Sequence, residues 1–202
     1  MSVSSPSVAE GGLDRATRLA GAAAVAVSVV AVFGSAALAS WATGSWFGWT
    51  THALSALGAP HRATAPVFNA GLVLAGALGV AFTWRVGCAG TNAAHRLGAA
   101  LLGLSFASLA LVGVFDVTRP LHVPVAVAFF LLFTYGLFVH GTGDVLAGAA
   151  GRGLRSVWYA VAHVTGWLLF AALPLSGIAL PELVGSLALW AWTLQLVVDL
   201  RP

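Results

Sequence analysis

Nine residues of this chain have side chains that could do chemistry together. They are His52, Ser55, His61 and Arg62 in one polar stretch, Asn69 just after it, Asp116, Arg119 and His122 in another, and Glu182. An imidazole, a carboxylate and a serine hydroxyl are the parts of acid–base or nucleophilic chemistry, here directed at a lipid head group. Ser55, Asp116 and His122 are the candidate catalytic residues, with Asp116 orienting the His122 ring. His52, Asn69, Arg119 and Glu182 are the candidate binding residues, and Arg119 could hold a phosphate oxygen. Two or three histidines with an acid could instead hold zinc. No HExxH, GxSxG or paired ligand spacing selects among these uses. Local roles compete with all of them: Asp116 can cap the tight Asp-Val-Thr-Arg-Pro turn or pair with Arg119, and His122 can hydrogen-bond the loop.

A second, sparser group is His140 and His163. Two imidazoles at similar depth on facing helices are the minimum for a b-type haem, and they are the candidate metal ligands. They can equally bond backbone carbonyls or water. The glycines at 141, 143 and 148–153 follow no strand and bring no lysine, so they read as a flexible turn rather than a phosphate cradle. Trp190 and Trp192 read as packing or lipid-facing residues rather than a ligand cage.

The elements that must position these residues are legible in the composition. Of 202 residues, 59% are hydrophobic and 7% carry charge. A soluble domain has about 25% charged residues and needs them to cover its surface. The composition therefore excludes a typical soluble enzyme, a disordered chain and a secreted disulfide scaffold, and it points to an integral membrane protein. All nine basic residues are arginines, against six acids, for a formal +3. They are scattered singly or in pairs, with no basic cluster to make a nucleic-acid footprint. The lone Cys88 can form no internal disulfide.

A bilayer core about 30 Å thick needs about 20 helical residues. Six stretches meet or approach that length: residues 19–41, 66–84, 97–115, 121–142, 157–180 and 183–198. They lack the polar–apolar alternation of a barrel, so the spans are helices. Ala37-Leu38-Ala39 resembles a signal-peptidase site, but the apolar run before it is long for a signal peptide, and the first span is expected to be retained. With the N-terminus inside, the cytoplasmic segments hold Arg15, Arg18, Arg85, Arg96, Arg152, Arg155 and Arg201, and the outer ones hold only Arg62 and Arg119. Trp41, Trp46, Phe47 and Trp49 then mark the outer boundary, and Trp84, Trp158 and Tyr159 the inner one. Gly71, Ala75 and Gly79, and again Ala99, Gly103 and Ala107, recur every four residues, the spacing that lets helix backbones approach closely. Pro124 and Pro174 are expected to kink the spans that hold them.

Two stretches carry a family resemblance. The first is THALSALGAPHRATAPVFNAGLVLAGALG at 51–79, with Ser55-Ala56-Leu57-Gly58 before the second span and Phe68-Asn69 at its start. The second is Leu111-Val112-Gly113-Val114-Phe115-Asp116, followed by His122 and a long apolar helix. From the first span through the fifth, the chain resembles the family called domain of unknown function 998, a set of archaeal and bacterial multi-span proteins. The layout is also similar to DRAM and Sfk-type membrane proteins, which have six spans, a Ser-x-x-Gly element before the second and a histidine opening the fourth. The matching positions here are Ser55, Gly58, Phe68 and His122. Some of those relatives are linked to remodelling of lipid-anchored or phosphoinositide membranes, so the resemblance implies lipid association. Ala59-Pro60 and the loop after them depart from that pattern.

The expectation is an all-α bundle of six transmembrane helices in the cell membrane, with both termini cytoplasmic. A tail at residues 1–18 precedes one domain over 19–200, whose first outer loop folds over the mouth of the bundle. Membrane lipids are the expected partners, met through a polar pocket on the outer face. One alternative is a structural or scaffolding protein whose small-residue faces join copies into a homo-oligomer. Another is a haem or metal protein built on His140 and His163.

Overall fold

The computed structural model describes residues 13–41 and 44–199. Most of the expected tail, the start of the first loop and Arg201 lie outside the described residues. Among the described residues six helices follow one another: α1 Arg15–Trp41, α2 Ala65–Cys88, α3 Ala93–Val114, α4 His122–Leu146, α5 Ala150–Ala171 and α6 Ala179–Asp199. Five of them, α1 to α4 and α6, are long and apolar enough to cross a membrane. The fifth expected span, 157–180, is shifted. Its helix starts at Ala150, with Arg152 and Arg155 in its first two turns, and ends at Ala171.

Each helix packs against the next, and α1 closes on α6, so the six form a ring of neighbours. The interior is filled by Phe82, Leu102, Phe133, Leu137, Trp192 and Leu196, each at most marginally accessible. Large apolar side chains such as Leu131, Leu168 and Leu169 stay more than half exposed on the outside. Such an outside would be costly in water and suits hydrocarbon.

Glycines allow the helices to come close. A Cβ on Gly98 would stand 2.5 Å from the backbone nitrogen of His140, which sets the α3–α4 crossing. One on Gly76 would stand 2.6 Å from the Phe106 carbonyl oxygen, and Gly71 faces Ala31 of α1 at 2.5 Å. The small residues of α2 are thus used inside the chain.

Helix ends follow their caps. The Asp14 carboxylate accepts from the Thr17 N–H at 2.7 Å, and the Asn92 side-chain oxygen Oδ1 accepts from the His95 N–H at 2.9 Å. Pro124 and Pro174 do not kink spans. Pro124 is in the first turn of α4, where a missing N–H costs nothing, and Pro174 is in the connection after α5. One irregularity lies within a helix: residues Val30–Gly34 of α1 form a π-helical turn.

Residues 44–64 fold back over one end of the ring, around a short 3₁₀ turn at Leu54–Gly58. Leu54 and Leu57 are buried beneath it. Gly177 donates to the Thr50 carbonyl at 3.0 Å and Ala179 to the His52 carbonyl at 2.9 Å. A Cβ at Gly177 would collide with the backbone of Thr51 and His52, so this cap needs glycine there.

Close packing at Gly98 makes a direct prediction. Gly98→Val should lower unfolding stability in detergent by about 1–3 kcal/mol, the usual cost of overpacking. Gly151, in α5 with no neighbour within 4 Å, should tolerate alanine and gain about 0.5–1 kcal/mol. Denaturant midpoints of the two variants check the pair.

Candidate functional site

Buried polar side chains gather at both ends of the bundle. At the cap end, a small cavity of about 50 Å³ is lined by Ser55, His122, Glu182 and Ser186, with apolar walls that include Leu72 and Phe129. This is several times the roughly 10–15 Å³ that one water needs. Val32, within the π-helical turn of α1, also faces it.

Glu182 enters the cavity from the first turn of α6 and is 8% exposed. Its Oε2 accepts from the Leu54 N–H at 2.6 Å, which joins the cap to α6. Among the described residues no arginine or histidine pairs with it. His122, at the start of α4, has its Nδ1 2.7 Å from the Phe115 carbonyl oxygen. A carbonyl only accepts, so Nδ1 carries a proton, and in the neutral ring Nε2 presents a lone pair. Ser55 comes from the 3₁₀ turn and Ser186 from α6, one helical turn beyond Glu182.

The other expected members of this group serve the cap or their own turn. Asp116 accepts the Thr118 N–H at 2.9 Å and the Thr118 hydroxyl, and its Oδ2 lies 3.6 Å from Arg119 Nε. The two Thr118 bonds, with Arg119 adding to them, hold its carboxyl below the usual carboxylate range. Asp116 therefore shapes its turn, and it is the Phe115 carbonyl that orients His122. Arg119 is 67% exposed. Asn69 donates to the Gly58 carbonyl at 2.9 Å and fastens the cap. His52 accepts from the Gly48 N–H at 3.2 Å and packs against Trp46 and Phe47, while Arg62 lies 3.8 Å above the Trp46 ring. No polar contact of His61 bears on the cavity, and it is absent from the lining.

At the opposite end is a cluster that the sequence reading missed. Asp144 of α4 is fully buried, and its Oδ1 receives Arg152 Nε at 2.8 Å, Arg152 Nη2 at 2.7 Å and His95 Nε2 at 3.1 Å. His140 stacks near His95 at 5.1 Å, with its Nδ1 3.7 Å from Asp144 Oδ2. These side chains join α3, α4 and α5. The signals were present but weak: a helix-capping Asn92 three residues before His95, and an acid eight residues before Arg152 across a glycine-rich turn.

His140 and His163 sit among different neighbours. Trp167 Nε1, which can only donate, reaches His163 Nε2 at 2.9 Å, and His163 Nδ1 is 2.9 Å from Thr134 Oγ1. Both ring nitrogens of His163 are thus engaged, with no lone pair left for a metal. Among the described residues, no group of three or more His, Cys, Asp or Glu is arranged to hold a metal ion.

Removing the acid from the buried cluster has a calculable effect. Asp144→Asn should destabilise the detergent-solubilised protein, by somewhat less than the roughly 3–5 kcal/mol of breaking a fully buried pair, because the partly exposed Arg152 can turn to water. Arg119→Gln, on the exposed turn, should change stability by less than about 0.5 kcal/mol. Thermal or denaturant unfolding of both variants measures the contrast.

No curated protein and no solved structure matches the chain. A family model does match, over residues 23–199, which is most of the sequence and all the helices but the first turns of α1. The chain belongs to the family described as Protein of unknown function (DUF998).

Proposed function

We propose that this is a six-span protein of the cell membrane, with both termini cytoplasmic, that binds the hydrogen-bond-donating end of an apolar ligand under its cap. The ligand class is a lipid or lipid-like molecule ending in a hydroxyl or an amine. The observation that carries this reading is Glu182, a buried carboxyl on a cavity wall with, among the described residues, a single N–H for a partner and no cation. Burying a carboxyl so poorly compensated is expensive, and in a membrane span such residues tend to mark function.

The polarity of the cavity selects the ligand. Ionised Glu182, and neutral His122 through its Nε2 lone pair, accept hydrogen bonds, and the two serines can do either. Acceptors recognise a hydroxyl or ammonium. They repel phosphate, and Arg119, the side chain that could have held one, lies outside the lining. The walls are apolar, so the body of the ligand is hydrocarbon. Ser55 and His122 share the cavity, but His122 Nδ1 is held by the Phe115 carbonyl rather than by a carboxylate, which favours binding over catalysis.

Six spans fit the ring. The 22 residues of α5 make a helix about 33 Å long, enough for the bilayer core, and its two neighbours are both apolar spans. The arginines support the orientation. Arg85, Arg96, Arg152 and Arg155 stand at the helix ends away from the cap, which puts the cap outside. Kinship with DRAM and Sfk-type proteins would add lipid association to the same picture.

A long-chain alcohol and a long-chain amine, each with a photoreactive group on the chain, test the reading. Both should label the 3₁₀ turn and the start of α6. Glu182→Gln and His122→Phe should each cut labelling by about tenfold, the loss of one hydrogen bond to a charged or well-placed group. Labelling that is equal in the parent and in both variants, with folding intact, would rule the reading out.

A further inference from the structure

A second opening lies at the other end of the bundle, between α2 and α3. It is a groove of about 780 Å³, and its wall residues include Thr83, Trp84, Cys88, Arg96, Ala100 and Gly103. We infer that it holds one acyl chain of an anionic phospholipid from the cytoplasmic leaflet, with the lipid phosphate on Arg96. The inference rests on the membrane orientation above but not on the ligand of the cap-end cavity.

Three observations select this occupant. The first is depth. From Arg96 to Ala107 the groove follows 11 residues of α3, a rise of about 16 Å, which is close to half the roughly 30 Å hydrocarbon core. It thus covers one leaflet. Beyond it the two helices close together, and a Cβ on Gly76 or Gly113 would meet the partner backbone at 2.6 or 2.5 Å. A helix of a second copy would need the contact to continue across that closed half.

The second is the wall. Gly103 and Ala100 keep the floor low, while Trp84, 71% exposed, and Leu104, 56% exposed, rise at the rims. A flexible hydrocarbon chain fills such a trough without any polar group to satisfy. Thr83 raises no objection, because its hydroxyl bonds the Gly79 carbonyl of its own helix at 2.8 Å.

The third is charge. Arg85 pairs with Asp14, Arg152 with Asp144 and Arg155 with Asp199. Arg96 pairs with no carboxylate among the described residues. Its Nε donates to the Gly90 carbonyl at 3.3 Å, which fixes the guanidinium at the mouth of the groove with its terminal nitrogens available. A phosphate is the anion that a guanidinium at this depth meets in a bilayer.

Native mass spectrometry of the full chain, incubated with equal amounts of phosphatidylglycerol and phosphatidylcholine, tests this. One phosphatidylglycerol should be retained per chain in preference to phosphatidylcholine. Arg96→Gln should lower that preference about fivefold, the effect of one basic residue at a membrane surface. Ala100→Trp, a change at an exposed position, should remove the retained lipid by filling the trough. As a second measurement, phosphatidylglycerol should slow maleimide alkylation of Cys88, the only cysteine, several-fold more than phosphatidylcholine does. Equal retention of the two lipids, a preference that survives Arg96→Gln, or an Ala100→Trp variant that loses a dimer and keeps its lipid would each overturn the inference. The last result would assign the groove to a second copy. The cap-end cavity takes no part, so a negative result here leaves that proposal standing.

Discussion

A carboxyl group removed from water must be neutralised or matched by hydrogen bonds, and this bundle buries two of them on opposite terms. Asp144 gathers a guanidinium and an imidazole onto one oxygen. Glu182 has one backbone N–H and a cavity. The desolvation cost is similar in kind for both, yet among the described residues only the first has a cation against it. That difference separates an end where three helices are tied by a buried ion pair from one where a buried carboxyl faces a cavity.

The Asp144 cluster explains why α3, α4 and α5 meet where they do. Apolar contact alone gives little reason for helices to associate in hydrocarbon, where lipid tails are as apolar as leucine. Close backbone approach and buried polar pairs must supply it. Gly98 against the His140 backbone and Gly143 against His95 bring α3 and α4 near enough for His95 to reach Asp144. Gly141 and Gly153 face each other's carbonyls and do the same for α4 and α5, which delivers Arg152. At the other end the cap depends on Gly177, whose missing side chain lets residues 50–52 lie against the start of α6 and places Leu54 on Glu182.

The helices were legible in the sequence because hydropathy over 20 residues is a strong signal, and five of the six are apolar enough to be read without help. Topology puts the ends of alternate connections on one side, and of the residues grouped there Ser55, His122 and Glu182 line one cavity, while Asn69, Asp116, His52 and Arg119 do not. The local role of Asp116 was legible too. Its place in the Asp-Val-Thr-Arg-Pro turn offered a turn cap or a pair with Arg119, and that short-range chemistry outweighs the role of orienting His122. The Asp144 cluster was illegible. Its members are 49 and 8 residues from Asp144, and each has an ordinary surface reading: a histidine near a helix start, an acid near a helix end, an arginine that sets orientation. Pro174 misled the boundary of α5, since a proline in an apolar stretch can kink a span or end it, and here the helix has already ended.

The proposed role of the cap end requires that Glu182 and His122 be held apart for a ligand. The most direct measurement is an electron-microscopy map of the chain purified with native lipid. The account predicts density that bridges the Glu182 carboxyl and His122 Nε2 and continues as an apolar tail along Phe129 and Leu72. A cavity that holds only water, with Glu182 turned out to solvent and the cap in place, would contradict it.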